Sequence, residues 1–124
     1  MATRKLLFLL FSDDGCRQAH ALMYALELRE NGHEVKLLLE GLATRMVAEL
    51  GAEGSRTGAL LRQVRDAGIL AGACERASSG CASDDPARKV ADVARAHGVK
   101  LLSDLDGHPS IEPFVRQGYE IVTF

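Results

Sequence analysis

Two cysteines, Cys74 and Cys81, stand seven positions apart in the stretch GACERASSGC. A short apolar run precedes them and a helical pattern follows. A cysteine at the end of a strand, with backbone N–H groups or a helix start close by, has a stabilised and therefore nucleophilic thiolate. Arg76 adds a positive charge, and the amides around Ser78, Ser79 and Gly80 could solvate an anion. Glu75, Asp84 and Asp85 oppose it. The competing reading is a small, buried, inert strand residue, the usual fate of cysteines outside disulfides. Curling of the loop would also bring the two sulfurs within disulfide range. The third cysteine, Cys16, follows Ser12-Asp13-Asp14-Gly15 at a helix start, where Asp13 and Asp14 offset part of the activating field. His108 lies in a Gly-His-Pro loop, a few residues after Ser103. Cys16, Cys74, Cys81 and His108 include metal-ligand types, but no Cys-x-x-Cys pair is present, and neither metal nor other cofactor is expected.

Several familiar chemistries fail on spacing. Asp13 and Asp14 resemble the acidic pair of phosphate-accepting receivers, yet the third strand ends in AGAC where an acceptor aspartate would stand. A cysteine phosphatase needs an arginine six residues after its nucleophile. Cys74 has Gly80 there, and Cys81 has Ala87. Phosphate-binding loops of the Walker kind and the dinucleotide Gly-x-Gly-x-x-Gly pattern are absent.

Positioning these residues requires elements, and one pattern recurs four times: a helical segment closes at a glycine and an apolar run follows. Gly32, Gly68, Gly98 and Gly118 occupy the left-handed C-cap position. With the opening run KLLFLLF, five strands are predicted near 5–11, 34–39, 69–73, 99–103 and 120–124. Between them, Gly15 to Asn31 carries an apolar face at Ala19, Leu22, Met23 and Leu26, with Asp13 or Asp14 as N-cap. LATRMVAEL and TGALLRQVRDA predict two shorter helices. DDPARKVADVARAH predicts a third, capped by Asp85 with Pro86 at its first position. Ser110 to Gln117 forms a short last one. Alternating strands and helices imply right-handed crossovers and a parallel sheet covered on both faces. The fold expected is α/β: a three-layer α/β/α sandwich on a five-stranded, mainly parallel sheet of Rossmann or flavodoxin type, in a single domain over residues 1–124. In such sheets ligands bind beyond the carboxyl ends of the strands, which is where all three cysteines fall.

Composition bounds the partners. Net charge is −2 with no basic block, and only 5% of residues are aromatic. The charge footprint and stacking surface of a nucleic-acid binder are therefore missing. No apolar run approaches a membrane span. The opening run is too short for a signal sequence and is followed by acidic residues. With three cysteines, an odd number, a reducing, cytoplasmic setting is expected.

In the order of these features the chain resembles the DsrE/DsrF/TusD-like sulfur-relay family. The likeness rests on KLLFLLFSDDG, the Ala-rich helix into ENGHEVKLLLEG, a cysteine after strand three, and the ending GYEIVTF. It implies a DsrE-like domain and a persulfide carried on Cys74. Where many members have Arg-Gly beyond the cysteine, this chain has Ser79-Gly80, with Arg76 earlier. The expectation is a sulfur carrier or sulfurtransferase-like protein, with Cys74 as nucleophile and Cys81 as resolving thiol. Asp13, Cys16, Arg76, Ser79, Gly80, Ser103 and His108 are the candidate binding residues. Sulfur donor and acceptor proteins would be partners, and a homo-oligomer, trimer or hexamer, the assembly. The alternative is a non-catalytic oligomeric or small-ligand-binding module with inert cysteines.

Overall fold

A computed structural model describes residues 2–80 and 89–124. Strands β1 (Lys5–Leu10), β2 (Glu34–Leu39), β3 (Leu70–Cys74), β4 (Leu101–Leu102) and β5 (Glu120–Thr123) form one sheet in the order β4-β3-β2-β1-β5. Every pair is parallel. Helices α1 (Gly15–Glu30), α2 (Arg56–Asp66), α3 (Glu75–Ser79), α4 (Val90–Ala96) and α5 (Glu112–Arg116) complete the described secondary structure, with a 3₁₀ helix over Gly41–Gly51. The expected three-layer α/β sandwich is the fold observed.

The sheet's two faces differ. Leu6, Phe8 and Leu10 of β1 and Val35, Leu37 and Leu39 of β2 share one face, packed with Ala21, Leu22 and Ala25 of α1 and Leu61 and Val64 of α2. Leu7, Leu9 and Leu38 fill the opposite face, beneath Ile111, Phe114 and Tyr119 around α5. Because both faces are apolar, the strands read as unbroken runs instead of alternating ones.

All four capping glycines have positive φ, between 72° and 89°. Asp14 is the N-cap of α1, its carboxylate accepting the Cys16 N–H at 3.2 Å. Two local differences from expectation have physical causes. LATRMVAEL winds as a 3₁₀ helix, and its buried residues recur every third position, Ala43 with Met46, and Thr44 with Val47 and Leu50. That is the 3₁₀ repeat, at which side chains eclipse. Strand β4 keeps only two residues of the five expected, an edge strand cut short. Helix α4 starts at Val90 behind an extended Lys89; the expected cap Asp85 and Pro86 lie outside the described residues.

Candidate functional site

Phe11 and Glu40 directly follow strands β1 and β2, Cys74 is the last residue of β3, and the three side chains line one cavity of about 330 Å³ at the carboxyl edge of the sheet. Arg76 and Ala77 of α3, with Gly80 just beyond it, form a second wall. His108 and Gly41 complete the lining. A larger hollow of about 400 Å³, beside Arg29, His33 and Tyr119, lies at the amino ends of the strands. It has no cysteine in its lining, so thiol chemistry belongs to the smaller one.

Cys74 is 1% exposed. Its Sγ lies 3.1 Å from Nδ1 of His108. The Gly107 carbonyl is also within reach of the thiol, at 3.8 Å. The imidazole is itself exposed. His108 therefore links a buried sulfur to solvent, and a proton leaving the thiol has a base in contact.

A tight turn places that histidine. Leu105 and His108 exchange backbone hydrogen bonds of 2.7 and 2.9 Å. Between them Asp106 has φ +49° and Gly107 φ +89°. Two consecutive left-handed residues closing a reciprocal pair is the type I′ arrangement, for which Asp-Gly is a preferred sequence. Asp104 steadies the far side, its carboxylate accepting the Ser110 N–H at 3.0 Å. The Gly107 carbonyl also accepts the Arg76 N–H at 3.0 Å, tying the turn to the start of α3. Absence of a side chain at Gly107 matters here, since a Cβ would lie 3.4 Å from Cβ and Cδ of Arg76. The arginine stem thus runs along the turn. Among the described residues, its guanidinium makes no ion pair or hydrogen bond.

Glu40 supplies the remaining ionisable wall. Burial raises its carboxyl above the usual range, and the charge of nearby His108 partly offsets that rise. One oxygen, Oε1, is enclosed without a hydrogen-bond partner among the described residues.

The candidates from sequence separate into those that converge and those that do not. Cys74, Arg76, Gly80 and His108 share the cavity. Ser79 is exposed at the end of α3, and Ser103 is exposed with its carbonyl accepting the Gly107 N–H at 3.2 Å. Asp13 lines another hollow, with Gln18, Arg45 and Glu49. Cys16 is exposed on α1, its Sγ 3.6 Å from His20 Nδ1, the atom that also lies 2.7 Å from the Cys16 carbonyl. Cys81 lies outside the described residues. Glu40 and Phe11 were not among the sequence candidates. Their signal was position, since each directly follows a buried strand. Among the described residues no cluster of three or more His, Cys, Asp or Glu side chains converges as a metal site, and no helix is long and apolar enough to cross a membrane.

The chain is 32% identical over 103 residues to the uncharacterized protein MJ0733 of Methanocaldococcus jannaschii, an alignment covering 83% of this chain and 76% of that protein. An uncharacterized protein of Archaeoglobus fulgidus is 46% identical over 55 residues, 44% of this chain and 88% of its own length. No family model matches the chain, and no solved structure matches it.

Proposed function

We propose that this chain, which belongs to the same family as the Methanocaldococcus jannaschii protein MJ0733, is a sulfur carrier that holds sulfane sulfur on Cys74. The observation that carries the reading is the 3.1 Å contact between the Cys74 sulfur and His108 Nδ1, inside a cavity at the carboxyl edge of the sheet. A thiol is a weak nucleophile until it loses its proton, and an adjacent base is the usual means of removing it.

The exchange needs no external oxidant beyond the donor. His108 takes the Cys74 proton, and the thiolate attacks the sulfane sulfur of a persulfide donor. The bond from Cys74 to that sulfur forms as the donor's S–S bond breaks. The departing donor thiolate takes the proton from His108. In the second half, an acceptor thiolate attacks the outer sulfur and Cys74 leaves as a thiolate. Thiolate fraction and access set the rate of both halves. The DsrE-like resemblance supports the same role, as well as a homo-oligomeric assembly and a reducing, cytoplasmic setting. Strand β5 supports assembly too: it is an edge strand with Ile121 39% exposed, and edges of this kind are commonly covered. Light scattering after size exclusion tests it, with a trimer or hexamer expected and a single-chain mass the refuting result.

One observation favours the second reading, a small-ligand-binding module with inert cysteines: Cys74 is almost wholly buried. Intact mass spectrometry after incubation with a persulfide donor, followed by peptide mapping, separates the two. Added sulfur is expected on Cys74, lost in Cys74→Ser and retained in Cys81→Ser. Undiminished loading of the Cys74→Ser protein would overturn the assignment.

A further inference from the structure

The cavity that holds Cys74 places three kinds of recognition group around one sulfur, and they describe its ligand. At about 330 Å³ it lies at the small end of the range for small-molecule sites, about 300–1,000 Å³. A thiol 1% exposed is shielded from a cysteine on the surface of a folded partner. A small molecule entering the cavity meets it directly.

Arg76 provides a cation on the cavity wall. Its backbone is tied to Gly107 and its stem lies against the same glycine. Part of the side chain's ordering cost is therefore met before any ligand arrives. Its guanidinium has no ion-pair partner among the described residues, and guanidinium geometry suits a carboxylate. On another wall, Glu40 has an enclosed carboxyl oxygen with no donor among the described residues. An enclosed acceptor left unmatched costs about 1–3 kcal/mol, so a ligand that brings an N–H to it gains by doing so. An anion beside Arg76, an ammonium beside Glu40 and a sulfur beside Cys74 together specify an amino-acid thiol.

We infer that the cavity binds a small zwitterionic thiol compound of the cysteine class, with its carboxylate on Arg76, its ammonium on Glu40 and its sulfur against Cys74. The inference rests on Cys74 being the exchanging thiol, as in the sulfur-carrier reading, and adds that the exchange partner is a small molecule. In its simplest form the Cys74 thiolate attacks one sulfur of a symmetrical disulfide. A mixed disulfide forms, the original S–S bond breaks, and the leaving thiolate takes the proton that His108 received from Cys74.

The test uses four disulfides that differ in charge: cystine, cystamine, dithiodipropionate and hydroxyethyl disulfide. The rate of mixed-disulfide formation at Cys74 is followed by mass spectrometry with peptide mapping, and each rate is divided by that of a free peptide thiol. Mapping excludes exposed Cys16 from the measurement. The normalised rate for cystine is expected to exceed that for neutral hydroxyethyl disulfide by about tenfold, the ratio that 1.4 kcal/mol produces. Arg76→Gln should slow cystine and dithiodipropionate and leave cystamine unchanged. Glu40→Gln should slow cystine and cystamine only. Equal normalised rates for all four compounds, or an Arg76→Gln effect blind to charge, overturn the inference. Should Glu40→Gln fail to fold, the wild-type order and the Arg76→Gln pattern decide it. The two readings fail separately: charge selectivity without sulfur loading from a persulfide sinks the carrier, and loading without charge selectivity sinks the ligand assignment.

Discussion

The Asp106-Gly107 turn is the local device that brings His108 to Cys74, and Gly107→Ala tests it. The added methyl would stand 3.4 Å from two carbons of Arg76. That spacing is tight but tolerable, so the steric term is small and the conformational term dominates. Gly107 holds φ +89°, and a left-handed conformation costs an L-residue with a Cβ about 1–2 kcal/mol. Unfolding entropy is about 2.1 cal/mol/K per residue. Over 124 residues, that cost lowers Tm by about 4–8 °C. The strain can also be relieved by opening the turn. Either route weakens the Gly107 carbonyl's hold on the Arg76 N–H and loosens His108 from the thiol. Thermal unfolding measures the first effect. Alkylation of Cys74 by iodoacetamide at neutral pH measures the second and should be slower. Asp106→Gly is the matched control, because glycine accepts φ +49° without strain. Its gain in the turn is offset by extra freedom in the unfolded chain, so stability should change by less than about 1 kcal/mol. A Gly107→Ala protein with unchanged Tm and unchanged alkylation would refute the claim that this turn places the base.

Other expectations follow from the same geometry. His108→Ala removes the base in contact with the thiol, so alkylation of Cys74 at neutral pH should fall by at least about tenfold; an unchanged rate would mean that the contact has no chemical role. Glu40 has a raised carboxyl pKa because burial disfavours its charge, so the native state holds that proton more tightly than the unfolded chain does. Its contribution is therefore most favourable below the ordinary carboxylate range and is lost as pH rises through the raised value. Glu40→Gln should gain stability relative to the native sequence as pH rises above the ordinary carboxylate range, read from urea midpoints at each pH; a difference that shrinks as pH rises contradicts the sign. Gly72→Ala would force a Cβ to 2.8 Å from both the Leu102 side chain and the Lys100 carbonyl. It should cost about 1–3 kcal/mol by overpacking, with amide exchange accelerated first at β4. Protection of β4 equal to that of the unsubstituted chain would show that the strand can shift aside.

The strand-glycine-helix rhythm was legible along the chain because its causes are local. A glycine closes a helix through its own φ, and a buried parallel strand is apolar at successive positions whatever its neighbours are. LATRMVAEL was legible only as a short helix; its 3₁₀ winding, with Ala43, Met46 and Thr44, Val47, Leu50 buried at every third position, was decided by packing. Cys74 could be singled out because a strand end is a local feature. Arg76, Gly80 and His108 were candidates for the same reason, but their meeting with Cys74, and the part of Glu40, could not be read, because Glu40, Cys74 and His108 stand at the ends of different strands or in the loops after them, and the order β4-β3-β2-β1-β5 is what sets those segments side by side. Cys16 and Asp13 follow a strand end as Cys74 does, yet they do not line its cavity. Sequence determines which residues leave the sheet at its carboxyl edge. The approach of one loop to another depends on strand order and on where each turn folds back, and those are properties of the assembled sheet.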